Sequence, residues 1–182
     1  MQQVVLFSSD FEKESAENLK RELEKNKENQ EKERKTVYEP IEADFSEPTT
    51  KLKDILERYK GINLGLPEEW FHNSDRVEVN IIQKNIRIKG DPGLLLLMPK
   101  QGTPLRLIVN DDFSKSQVLT LYFITNLNFG DPANVHSLEQ MCDQKIVQIK
   151  GNIDLLNAEF EKYNQQHQNA VSQESSSNPV YS

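Results

Sequence analysis

The longest regular pattern of apolar positions lies in residues 142–163, where apolar side chains recur alternately four and three residues apart. The members of this heptad stripe are Cys142, Ile146, Ile149, Ile153, Leu156, Phe160 and Tyr163. A mean spacing of about 3.5 residues places them on one narrow side of a helix. The pattern therefore predicts a long amphipathic helix that begins near Ser137 and ends near Gln165.

The opposite side of this helix is also partly apolar, because Val147, Gly151, Leu155 and Ala158 lie about half a turn from the heptad stripe. Two alternatives follow for the stripe itself. It packs on a sheet of its own chain, or it pairs with the same helix of a second copy. We adopt the homodimer as the prediction, and its interface residues are Ile146, Ile149, Ile153, Leu156, Phe160 and Tyr163.

Alternation of apolar and polar residues predicts β-strands in the middle of the chain. It is found in residues 77–82, 86–89 and 105–109. This period of two indicates antiparallel strands with one covered face, and a tight hairpin at 83–85 would join the first two. The leucine run at 94–98 predicts an interior strand. Residues 117–126 fit either a capped helix or a strand, and their β-branched and aromatic side chains favour the strand.

The first third of the chain is mostly polar. Ser9 and Glu12 have the spacing of a capping box and predict the start of a helix, which becomes charged on every side over residues 24–36. An acidic linker with two prolines follows. Residues 52–59 then carry apolar side chains at helical spacing and predict a short helix that Gly61 ends.

These elements predict an α+β fold. An antiparallel sheet of about five strands packs with a short helix and a long C-terminal amphipathic helix, and an extended charged N-terminal helix precedes it. The predicted division is a charged N-terminal helix (1–36), an acidic linker (37–50), the α+β domain (51–164) and a disordered tail (165–182). Because residues 1–48 supply few apolar side chains, we expect the domain to fold without them.

Composition narrows the class of protein. The net charge is -7, which disfavours a nucleic acid or an anionic membrane as partner. The single cysteine, Cys142, excludes an intrachain disulfide, and we interpret it as a buried apolar residue. No run of about 20 apolar residues predicts a membrane span. We expect a reducing, cytoplasmic location.

No motif points to catalysis, a metal or a cofactor. His72, His136 and His167 have no second metal ligand at a usual spacing, so we predict neither an enzyme nor a metal site. We expect a non-enzymatic protein-interaction or assembly subunit that dimerises through its C-terminal helix and binds an unknown protein. The alternative is a nucleic-acid-binding accessory protein with a basic sheet face, formed by Lys84, Arg87, Lys89, Lys100, Arg106 and Lys115.

Overall fold

The computed structural model describes residues 1–28 and 37–177. In chain order its strands and helices are β1 (Gln2–Leu6), β2 (Ser9–Asp10), α1 (Phe11–Glu28), β3 (Glu42–Asp44), β4 (Thr50–Glu57), α2 (Arg58–Asn63), β5 (Arg76–Lys89), β6 (Leu97–Met98), β7 (Leu105–Val109), β8 (Val118–Thr125) and α3 (Pro132–Ser177). Short 3₁₀ helices at Glu68–Phe71 and Pro92–Leu96 flank β5.

Six strands form one antiparallel sheet, with β1, β7, β8 and β5 side by side. The far side of β5 is shared by two strands, since β4 pairs with its first part and β3 with its last three residues. β2 and β6 form a separate parallel pair of two residues each. The architecture confirms the predicted α+β fold with a long C-terminal helix, and it confirms the strand in residues 117–126 as β8.

Helix α3 lies across one face of the sheet, where it forms the main core with side chains such as Ile82, Ile86 and Leu121. These strand residues face α3 because opposite residues of antiparallel strands point to the same side. A second, smaller core covers one end of the other face. Its buried members are Leu56, Leu64, Val79 and Ile81, and Trp70 of the 3₁₀ turn packs against them.

The N-terminal residues belong to the sheet and the core, although the sequence pattern predicts that the domain begins at residue 51. β1 pairs with β7 over five residues. Leu6 and Phe7 are 0% exposed, and Phe11 is 3% exposed. Helix α1 begins after Asp10, whose carboxylate accepts a hydrogen bond from Lys13 N at 3.3 Å. Residues 29–36 of the predicted charged helix lie outside the described residues.

The first part of the predicted acidic linker, residues 38–41, forms a strap on α3, and strand β3 follows it. Asn157 accepts from Ile41 N at 2.8 Å and donates to Ile41 O at 2.9 Å. Asn164 makes the same two bonds with the backbone of Tyr38, at 3.0 and 2.8 Å. The two asparagines are seven residues apart and therefore lie on one side of the helix. These amides bond the backbone N–H and C=O groups of Tyr38 and Ile41, as a neighbouring strand would, and so hold residues 38–41 against α3.

Three predicted elements differ in the structure. Most of the helix predicted over residues 52–59 is strand β4, because an eight-residue ladder with β5 outweighs the helical spacing of its apolar side chains; only residues 58 and 59 are helical, in α2. No hairpin forms at 83–85, since β5 runs unbroken through these residues. The leucine run at 94–98 is mostly 3₁₀ helix, and only Leu97–Met98 is a strand.

The C-terminal helix is longer than its heptad pattern predicts. α3 begins at Pro132 and ends at Ser177, so residues 165–177 of the predicted disordered tail are helical. Within it, His167 is 2% exposed and its ring lies 5.9 Å from that of Tyr163. Over residues 1–28 and 37–177, no helix has both the length and the apolar character that crossing a bilayer requires.

Candidate interaction surface

The heptad stripe is buried within its own chain, against the sheet and, at Phe160 and Tyr163, against the rings of Phe11 and Tyr38. Ile149 and Leu156 are 0% exposed, Phe160 1%, Ile153 5% and Tyr163 6%, while Ile146 is half-buried against the same core. A second chain could reach these side chains only if α3 left the sheet. The predicted homodimer interface through this stripe stays a prediction, and it would require the stripe to leave the core of its own chain.

The opposite side of α3 is exposed but sparse. Val147 is 68% exposed and Leu155 36% exposed, and they lie about two turns apart. Between them, a Cβ atom on Gly151 would meet no atom within 4 Å. Two separated apolar side chains do not form a continuous patch, so this side does not define an interface.

The basic sheet face is not assembled as predicted. Lys84 points into the core side, is 7% exposed, and donates to the carbonyl oxygens of Phe45, at 2.7 Å, and Glu47. It therefore holds the connection between β3 and β4. Lys89 is exposed, and its ammonium group lies 3.2 Å from the carboxylate of Glu42.

The two predicted arginines lie near opposite ends of the sheet. Arg87 pairs with Val118 at the start of β8. Arg106 precedes Ile108, which pairs with Tyr122 towards the end of β8. About six residues separate the two levels, or roughly 20 Å along a strand. They do not form one phosphate-binding row.

The Cys142 thiol is buried and is not activated as a nucleophile. Burial raises the pKa of the Cys142 thiol to about 11, and the nearby carboxylates of Asp143 and Glu139 add to that effect. The thiol is therefore protonated at neutral pH, as expected for a buried apolar cysteine. Among the described residues, no three His, Cys, Asp or Glu side chains are grouped to hold a metal ion.

β4 is an edge strand, as β1 is at the other side of the sheet. β4 pairs with β5 along one side, and no strand among the described residues pairs along the other. Just after β4, Arg58 N donates towards β5, to Asp75 O at 2.8 Å. Backbone groups alternate along a strand, so the odd-numbered residues of β4 point theirs away from β5. Consistently, Ile55 N donates to the adjacent Asp54 carboxylate, at 2.8 Å.

Apolar side chains surround this edge. Ile55 is 59% exposed and Leu52 38% on β4, and Tyr59 is 66% exposed and Ile62 41% on the adjoining α2. The described residues include ten large apolar side chains with exposure of 36% or more, and these four lie within eleven consecutive positions. These four are close in sequence, but Leu52 and Ile55 lie on opposite faces of β4 because successive strand residues alternate.

Two grooves border β4. One of about 710 Å³ is lined by residues that include Lys53, Ile55 and Asn80. The other, of about 500 Å³, is lined by Tyr59 and Ile62 together with charged side chains. Each groove could receive alternate side chains of an extended peptide that paired with β4.

Two ion pairs fix the end of this surface. The guanidinium of Arg76 lies 3.5 Å from the carboxylate of Glu57, and that of Arg58 lies 3.6 Å from Asp75. All four side chains are at least 47% exposed, so the pairs orient the groups more than they stabilise the fold. Together with β4 they define the surface that we name the β4 edge, formed by residues 50–62.

The sequence pattern concealed this site because residues 52–59 satisfy helical spacing. A strand signal was nevertheless present. Lys51 and Lys53 alternate with Leu52 and Asp54, and an edge strand characteristically carries lysines.

Comparison with known proteins gives no further guidance. No family model matches the sequence, and neither the curated proteins nor the solved structures contain a significant match.

Proposed function

We propose that this chain is a non-enzymatic protein-interaction subunit that binds its partner by adding a strand to the β4 edge. One observation carries the proposal. Among the described residues, no strand pairs with the outward backbone groups of this eight-residue edge strand, and exposed apolar side chains lie on it and beside it. Strand addition satisfies those backbone groups, and the flanking grooves select the partner's side chains.

The nucleic-acid alternative has less support. Its six basic residues are divided between the core, the two ends of the sheet and the loops, and Lys89 already faces Glu42. Phosphate binding requires several cations along one path. The net charge of -7 also opposes a polyanion.

Photo-crosslinking in the source cells tests the proposal. Benzoylphenylalanine replaces Tyr59, which is 66% exposed beside the edge, and the control carries it at Val147, which is 68% exposed on α3. We expect one discrete protein adduct from position 59 and none of that mass from position 147.

A second variant ties the adduct to strand addition. Lys53→Pro removes an outward N–H, and proline is tolerated on edge strands because that donor makes no bond within the sheet. We expect the adduct from position 59 to disappear in this background while circular dichroism shows an unchanged fold. An adduct that survives Lys53→Pro, or the lack of any discrete adduct at position 59, would contradict the proposal.

A further inference from the structure

The charges on β4 identify a partner for this edge, and the inference rests on the proposed function. We infer that the strand added to β4 is β4 of a second copy, so that two sheets join into one across a twofold axis. In such an antiparallel pair, opposite residues point to the same face and must therefore both be odd-numbered or both even-numbered.

The outward backbone groups restrict how the two strands can align. Hydrogen-bonded pairs must join residues whose N–H and C=O point away from β5, which are the odd-numbered residues Lys51, Lys53, Ile55 and Glu57. An alignment centred on Ile55 pairs Ile55 with its own copy. It also sets Lys53 opposite Glu57 of the other copy, twice by symmetry.

This alignment is self-complementary in both charge and polarity. Two Lys53–Glu57 pairs flank a central pair of isoleucines, each 59% exposed in the single chain. Centring the strands on Lys53 or on Asp54 would set like charges directly opposite, which is destabilising. The Ile55 N–H would exchange its bond to the Asp54 carboxylate for the backbone carbonyl of the opposite Ile55.

The lysines would also limit which strands can pair with the β4 edge. Lys51 and Lys53 on an open edge discourage pairing with an arbitrary strand, because the incoming strand must bring an acid to the right position. Glu57 of a second copy does so for Lys53. The chain therefore carries both the lysine that disfavours pairing with other strands and the glutamate that compensates its charge.

Charge reversal tests the inference in the full-length chain by analytical ultracentrifugation from low to high micromolar concentration. We expect a reversible dimer. Lys53→Glu and Glu57→Lys should each weaken dimerisation about tenfold or more, because each variant places two like-charge pairs in the interface. The double variant Lys53→Glu/Glu57→Lys should restore it, since the pairs are then reversed but again opposite in sign.

Lys51→Glu is the matched control. It makes the same charge change two residues away, on the same face of β4, but lies beyond the paired residues, because β4 of the second copy ends at Glu57. We expect dimerisation within about twofold of the unmodified chain. A weakening caused by Lys51→Glu but not by Lys53→Glu would show a strand alignment shifted by two and would overturn the inference.

Thermal melts separate misfolding from lost association. Glu57→Lys also breaks the 3.5 Å pair with Arg76, but both side chains are about half exposed or more, so all four variants should melt within a few degrees of the unmodified chain.

Two further outcomes would overturn the inference: a chain that stays monomeric at the highest concentration, or a dimer whose affinity changes in neither Lys53→Glu nor Glu57→Lys. The proposed function would survive either result if the crosslinker at position 59 still captured a different protein in a Lys53→Pro-sensitive manner. It would fail as well if no such adduct formed.

Discussion

Removing the amide of Asn157 should destabilise the domain by losing the strap. Asn157→Ala deletes the acceptor for Ile41 N at 2.8 Å and the donor to Ile41 O at 2.9 Å in one change. Ile41 is 2% exposed, so both backbone groups would be left without a partner close to the core. The side chain itself is half-buried and contributes little apolar contact.

The expected cost follows from those two bonds. A buried polar group that loses its partner costs about 1–3 kcal/mol, so two such groups could cost about 2–6 kcal/mol. Water can reach the site from the exposed side of Asn157 and recover part of this loss. We therefore expect the free energy of unfolding to fall by about 2–3 kcal/mol.

Chemical denaturation with guanidinium measures the change, with the domain followed by circular dichroism. Gln148→Ala is the control, because Gln148 is an exposed residue of the same helix and should change stability by less than about 0.5 kcal/mol. If Asn157→Ala and Gln148→Ala behaved alike, the amide would be replaceable by water and the reasoning would fail.

Three further predictions concern other parts of the fold. Deleting residues 1–7 should abolish cooperative thermal unfolding, since it removes β1 and the fully buried Leu6 and Phe7; a truncated chain that melts like the full chain would refute this. The Cys142 thiol, with its pKa raised to about 11 by burial, should resist iodoacetamide at pH 8 until the chain is unfolded, and mass spectrometry would detect rapid native labelling if this is wrong. Gly61→Ala should lower the melting temperature because its Cβ would lie 2.2 Å from the Phe71 ring, whereas Gly151→Ala, with open space, should raise stability by up to about 1 kcal/mol; equal effects in the two melts would contradict the geometry.

The parts of the fold that local pattern determines could be predicted from the sequence. The heptad spacing of Ile149, Ile153 and Leu156 indicates a helix with one buried side, and that is what the structure contains. The heptad spacing does not indicate which surface covers the buried side of the helix. A coiled-coil partner and the chain's own sheet both accept a narrow apolar stripe.

Long-range pairing explains the parts that were missed. β1 is short and only half-buried along most of its length, so its strand character comes from β7, about a hundred residues away. β4 carries apolar side chains at a spacing that suits a helix, and only its ladder with β5 makes it a strand. The local sequence pattern therefore does not indicate the β4 edge, which exists only through the pairing of β4 with β5. Lys84 shows the same limit, because alternation placed it outside and the backbone carbonyls of Phe45 and Glu47 hold it inside.

The asparagine-held strap has a consequence for the order of events during synthesis. Tyr38 hydrogen-bonds Asn164, which lies 126 positions later in the chain, and Ile41 hydrogen-bonds Asn157, which lies 116 positions later. A ribosome makes the N-terminal third first, so Leu6, Phe7 and Ile41 emerge long before the helix that shelters them. Contacts this distant slow folding and leave apolar side chains open to chaperones or to neighbouring nascent chains. The core of the domain is complete only after α3 has left the ribosome.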